Sequence, residues 1–246
     1  MRFTLKSAAL LVLSTAAMLA GDLTITYKIS GRAGGTETQY MSSSIMRTNN
    51  EGTGTDTMLD FQKGMIYTIN HKKKTIESMK IDDLADLMGS MTSQMPEGME
   101  AMMGKMFGDP DNFKVQELGK DTVLNRPCNK VSITVGKMVQ ELSLDPSLKN
   151  PLSPANFARM AKSMAALMAR VPMMAKMMNR MFEAKAKLTG IELKSHMTGL
   201  MGMEVTKEAT AINQGPIPAS AFALPAGYAM KDMGAELKKQ MGGGRR

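Results

Sequence analysis

Residues 23–30 alternate strictly: Leu23, Ile25, Tyr27 and Ile29 are apolar, while Thr24, Thr26, Lys28 and Ser30 are polar. A period of two is the signature of a half-buried strand. Residues 31–35 supply a glycine-rich turn, 36–47 read as a second strand, and the Asn- and Gly-bearing residues 48–55 as the next connection. The pattern resumes at 58–62. Residues 65–70 and 75–80 then predict a hairpin around the loop 71–74. The first third of the chain is thus expected to be an antiparallel meander.

Between 81 and 107 the period changes. Leu84, Met88, Met91, Met95, Met99, Met102 and Met106 share one stripe at helical spacing, opposite Asp86, Ser93, Glu97 and Glu100. Pro96 and the glycines at 89, 98 and 104 are expected to break this helix into short pieces or leave it a lid-like segment. Strands resume at 113–118, 122–124, 129–135 and 138–144. A second helical region follows the loop 145–154, with Phe157, Met160, Met164, Leu167, Met168 and Val171 on one side. Pro172 interrupts it. Beyond the proline, Met174, Met178, Met181 and Phe182 continue an apolar face that leaves Met173 and Met177 outside. Strands at 191–197 and 203–211 and a proline-bearing strap at 215–228 close the pattern.

Composition changes this picture at three points. Methionine accounts for 29 of 246 residues, against 4% aromatics and no tryptophan, so methionine and the aliphatics must supply most of the apolar volume. Methionine is flexible and polarizable, and it can fill core gaps, line a cavity that adapts to irregular apolar ligands, or bind soft metal ions. Second, Arg2 and Lys6 precede the apolar run 8–13 and the small-residue stretch 14–21. That run is too short to span a bilayer, which needs about 20 residues, so residues 1–21 read as a cleavable leader with the mature chain starting near Gly21. A periplasmic or secreted product is expected. Third, Cys128 is the only cysteine, so no intramolecular disulfide can form.

Loss of Arg2 and Lys6 with the leader lowers the net charge from +8 to +6. Arg159, Lys162, Arg170, Lys176, Arg180, Lys185 and Lys187 oppose the single acid Glu183 along the second helical region, a surplus equal to the whole charge of the mature chain. Such a basic amphipathic helix suggests contact with anionic lipid head groups or an acidic partner.

Chemistry-bearing motifs are sparse. The sequence holds no Gly-x-Ser-x-Gly elbow, no paired-histidine zinc helix and no phosphate loop, and Gly52-Thr-Gly54 reads as a hairpin turn. His71, in a lysine-rich loop, is expected to be solvated, and no residue is seen to orient it or His196. Cys128 reads as a small buried hydrophobe, and Lys72–Lys74 as a charged turn. Basic residues without interleaved aromatics do not suit nucleic acid.

The run from Tyr67 through Thr-Ile-Asn-His-Lys-Lys-Lys-Thr-Ile-Glu-Ser to Met79, the stretch Arg126-Pro-Cys-Asn-Lys130, and the closing Phe222-Ala-Leu-Pro-Ala-Gly-Tyr228 resemble a family of exported bacterial proteins of unknown function. That family is similar to the outer-membrane lipoprotein carriers and lipoprotein-localisation proteins. The resemblance implies a half-open antiparallel β-barrel around helices, with an apolar cavity for acyl chains.

The expectation is an α+β fold: a curved antiparallel sheet, or half-open barrel, with Met-rich helices on its concave face. One domain should span residues 22–234, with a disordered tail at 235–246. The expected function is non-catalytic and cofactor-free binding of a lipid-like amphiphile. Met88, Met91, Met95, Met102, Met164 and Met168 would line the cavity, and Arg159, Lys162, Arg170, Lys176 and Arg180 would meet the anionic head group or membrane. Two alternatives stay open: a periplasmic copper or silver binder using clustered thioethers, and a structural or interaction protein of the envelope. The oligomeric state is left open.

Overall fold

In the computed structural model, twelve strands form one sheet in the order β12-β6-β5-β4-β3-β2-β1-β11-β10-β9-β8-β7, with residues 21–31, 34–83, 104–156, 158–159, 172–200 and 203–236 described. All pairings are antiparallel except β12 with β6. The strands are β1 Leu23–Gly31, β2 Gly35–Met41, β3 Ile45–Asn50, β4 Thr55–Asp60, β5 Met65–Asn70, β6 Thr75–Lys80, β7 Phe113–Val123, β8 Arg126–Val135, β9 Met138–Asp145, β10 Ile191–Leu200, β11 Met203–Gln214 and β12 Ala229–Asp232. A fifteen-residue helix, α1, spans Pro172–Ala186. Among the described residues β7 and β12 are the edges, so the sheet curves without closing, and the fold is α+β as expected.

The predicted meander is present with one correction. Residues 36–47 are not a single strand: the chain turns at 42–44, and β3 runs on to Asn50. The Ser42 hydroxyl donates to the Ile45 carbonyl (3.1 Å) and accepts from the Ser44 and Ile45 amides (3.4 and 3.0 Å), a local alternative to the ladder. In the second half, 113–118 and 122–124 merge into one eleven-residue strand whose register shifts between Glu117 and Gly119. Its hairpin turn is Leu124-Asn125, both at positive φ (52° and 58°), the geometry that matches strand twist in two-residue loops. The strap ends in a strand the sequence did not suggest, because four exposed residues paired in parallel carry no apolar alternation.

Register shows which side chains share a face. Leu23, Met41, Met46, Leu59, Ile66 and Met79 are successive cross-strand partners from β1 to β6, so six apolar residues form one row across six strands. Val131, Leu142, Ser195, Lys207 and Ile29 carry the same face across β8 to β1. This face is concave: the Tyr27 hydroxyl on β1 reaches past β11 to donate to the Glu192 carbonyl on β10 (2.8 Å). Register shifts at Thr26/Tyr27 and Glu192/Lys194 lie where the sheet bends, as bulges do.

Helix α1 packs on this face. Pro172 is the first residue of α1, a position where its missing N–H leaves no bond unmade. Met177, expected to lie off the apolar face, is buried together with Met181 and Ala184 against Ile133, Val135, Leu142 and Leu144. Spacing of four and three residues places those three on one stripe. Gly190, which leads into β10, has φ +107°, and a Cβ there would sit 2.4 Å from the Asp145 carbonyl oxygen.

The opposite face of β4–β6 is also apolar. Met58, Tyr67, Ile69 and Ile76 are buried there beneath Phe222, Leu224 and Tyr228 of the strap. Strands β4–β6 therefore carry apolar residues on both sides.

Candidate functional site

The concave face is amphipathic along its strands. At one end lies the apolar row, in which Leu23 and Met41 are buried while Met46, Leu59, Ile66 and Met79 are only half-buried. Towards the other end, the same face of β2–β6 carries Gln39, Thr48, Thr57, Thr68 and Glu77, then Glu37, Asn50, Thr55, Asn70 and Thr75. At the boundary, Tyr27, Gln39, Met41, Ile191, Glu192 and Lys207 line a cavity of about 300 Å³. Met41 belongs to both, so the apolar row runs into the cavity wall.

The polar groups of the cavity hold one another. Lys207 Nζ lies 4.1 Å above the centre of the Tyr27 ring and 2.5 Å from Glu37 Oε1, which also accepts from Gln39 Nε2 (2.9 Å). Burial, with the negative charges of Glu192 and Glu37, pushes the Tyr27 phenol far above its ordinary pKa. Tyr27 is therefore a neutral donor across the accessible pH range, fixing the β10–β1 bend. The site thus combines apolar walls with one ammonium, an amide and the carboxylates of Glu192 and Glu37, a mixture suited to a small amphiphile.

On the other face, Arg47 fastens the strap. Its Nη1 donates to the Ala221 and Ala223 carbonyls (both 2.9 Å), its Nε to Asn49 Oδ1 (2.9 Å), and its Nη2 to Asp56 Oδ2 (2.7 Å). His71 is not simply solvated, as its loop setting suggested: Nε2 lies 2.9 Å from Asp56 Oδ2 and Nδ1 3.0 Å from the Tyr228 hydroxyl, so two groups orient it. The spacing of Asp56, His71 and Tyr228 in sequence carries no sign of this, because three separate segments converge. Asp–His–Tyr here is a clasp beneath the strap.

The sequence-predicted site residues fall out as follows. Met88, Met91, Met95, Met102, Met164, Met168, Lys162 and Arg170 lie outside the described residues, as do residues 1–20 of the expected leader. Lys176 and Arg180 come together on Asp111, at 2.6 and 3.9 Å, and Arg180 also stacks over Phe113 at 5.4 Å. The hydrogen bond from Lys176 holds the Asp111 carboxyl below its usual range. Arg159 lies apart from them, donating to Asp82 (3.1 Å) and the Phe61 carbonyl (3.3 Å). Sequence reasoning missed Lys207, Gln39 and Glu37, since only register brings β2 and β11 to either side of β1. Tyr27 and Ile25 were legible as inward-facing from their alternation. Cys128 is buried, as expected of a small hydrophobe.

Among the described residues, no group of three or more His, Cys, Asp or Glu could hold a metal ion, and no helix is long and apolar enough to cross a membrane.

A family model described as Domain of unknown function (DUF4412) matches residues 10–228. No curated protein matches the chain. Among solved structures, the chain is similar to PNGF-II (11% identity, TM-score 0.42, covering 89% of this chain and 33% of that one). It is similar also to MucB in the Pseudomonas aeruginosa MucA/MucB complex (14%, TM-score 0.43, 85% and 57%). A third is a LolA superfamily protein from Nitrosomonas europaea (8%, TM-score 0.28, 83% and 90%). The chain thus spans about a third of the PNGF-II chain and somewhat over half of MucB. At TM-scores below 0.5 these likenesses carry no argument about what this chain binds.

Proposed function

We propose that this chain, which belongs to the family described as Domain of unknown function (DUF4412), is an exported, non-catalytic binding protein for a lipid-like amphiphile. The observation that carries the reading is the continuity between the half-buried row Met46–Leu59–Ile66–Met79 and the cavity that Met41 shares with Lys207 and Gln39. An apolar chain laid along the row removes water from thioether and aliphatic surface, worth roughly 25 cal/mol per Å². Its polar end meets the Lys207 ammonium and the Gln39 amide. Met88, Met91, Met95, Met102, Met164 and Met168 supply the remaining apolar wall in this proposal. Arg159, Lys162, Arg170, Lys176 and Arg180 bias the protein towards anionic membranes.

Native mass spectrometry of the mature protein, purified from the periplasm without detergent, tests this directly. Adducts with acyl-lipid masses are expected, and Ile66→Asp, which puts a charge into the row, should remove them. An unliganded mass that also stays unchanged after incubation with phospholipids, lysophospholipids and fatty acids would overturn the proposal. Stoichiometric copper(I) uptake in the same instrument would move the methionines to the metal-binding alternative.

A further inference from the structure

A second cavity, of about 370 Å³, lies at the far edge of the sheet between β7–β9 and the residues that follow α1. Its apolar lining is Val131, Leu144 and Leu188; its polar lining includes Lys120, Lys130, Lys187, Asn129, Thr189 and Glu117. The register shift between Glu117 and Gly119 adjoins it, and Gly119 contributes no side chain.

The charges divide unequally. Lys130 is engaged by Glu141 at 2.7 Å, outside the cavity lining. Lys120 donates one proton to Asn129 Oδ1 (2.7 Å), and an ammonium has two more to give. Lys187 is exposed. Two lysines from opposite walls thus face a cavity that holds a single carboxylate, Glu117. Lys120 is exposed like Lys187, so both ammonium groups are accessible to an incoming anion. This contrasts with Lys176 and Arg180 on α1, whose charges Asp111 already meets.

We propose that this cavity binds a phosphate-type anion between Lys120 and Lys187, with the Asn129 amide and Thr189 hydroxyl as further donors. The site is separate from the concave-face cavity and does not depend on the amphiphile reading. The same chemistry fits free phosphate or a phospholipid head group whose first methylenes rest on Leu188 and Val131.

The test titrates the mature protein with inorganic phosphate, following amide chemical shifts of residues 117–120 and 187–189 at constant ionic strength. Saturable shifts are expected there. Lys187→Gln and Lys120→Gln should each weaken binding by roughly tenfold, the loss of one charged hydrogen bond. Chloride at equal ionic strength should not reproduce the shifts. Vesicles of phosphatidylglycerol that compete with phosphate would identify a lipid head group, and vesicles that do not compete would identify the free ion. Non-saturable shifts, or shifts unchanged in a correctly folded Lys120→Gln/Lys187→Gln double variant, would overturn the proposal. Because the readout is confined to this edge, failure here leaves the lipid-adduct experiment untouched, and the reverse also holds.

Discussion

Among the described residues, each half of the sheet has a buried aspartate paired with an arginine, Arg47 itself buried and Arg126 part-exposed, and the two pairs differ in what they fasten. In the N-terminal half, Arg47 joins buried Asp56 to two carbonyls of a strap more than 170 residues away in sequence. In the C-terminal half, Arg126 pairs with fully buried Asp145, but Asp145 Oδ1 also accepts from the Ser147 amide (2.9 Å) and hydroxyl (2.6 Å). Among the described residues every buried side-chain nitrogen and oxygen has a partner, so both pairs are fully satisfied. The first is a long-range fastener, with His71 as the second partner of Asp56. The second is a local network with reserves. A buried ion pair is weak evidence of net stability, yet removing one partner is costly because the other charge stays behind.

Substituting the arginines should separate the two most sharply. Arg47→Met leaves Asp56 with His71 as its remaining partner and frees both strap carbonyls, and should cost about 3–5 kcal/mol in urea unfolding. Arg126→Met leaves Asp145 with its Ser147 donors and should cost about 1–3 kcal/mol. Equal losses would show that the strap is no more dependent on its arginine than the β8–β9 end is on its own.

Core truncation probes how each half is covered. Met181→Ala, on the buried face of α1, should cost about 2–4 kcal/mol. By hydrogen exchange it should loosen β8 and β9 while leaving the strap amides protected. Loosening of both would mean that the halves unfold as one unit.

Smaller again is the clasp. Tyr228→Phe removes the hydroxyl that meets His71 but keeps the ring in its apolar cluster, and should cost about 1 kcal/mol. The exchange of amides at 221–229 should rise first.

Acid should act on the C-terminal half. Burial raises the Asp145 pKa, but the Ser147 and Arg126 hydrogen bonds outweigh it and hold the carboxyl below its ordinary value; a hydrogen bond from Ser143 does the same for Asp121. A carboxylate depressed in the folded state contributes stability that is present above the unfolded value of about 4 and lost as pH falls through the folded one. Urea midpoints should therefore hold from pH 7 to about pH 5 and decline below about pH 4, with a shallower decline in Ser143→Ala. At the bottom of the scale, Asp111→Asn breaks only exposed contacts to Lys176 and Arg180. It should leave unfolding unchanged while strengthening binding to anionic vesicles.

What was legible in the chain follows from the range of the interaction involved. Alternation over 23–30, 65–70 and 75–80 marks strands because a half-buried strand must expose every second residue, and those elements stand where the pattern places them. The α+β class and the curved sheet under a Met-rich helix were legible for the same reason. Met177 was misplaced because the phase of an apolar stripe along a fifteen-residue helix stays open until the helix docks. His71 read as solvated because its neighbours in sequence are lysines, whereas its partners are Asp56 and Tyr228.

By itself, then, the sequence determined the period of each element, the placement of the basic residues, the absence of a disulfide and the excess of adaptable methionine, all of which are local or compositional. Tertiary structure alone decided that six apolar residues from six strands share a row, that Lys207 settles over Tyr27, that Arg47 captures the strap, and that Lys120 and Lys187 face one cavity. The physical reason is register: which residues meet across a sheet is set by pairing over the whole chain, and a shift of one position would send every one of those side chains to the other face.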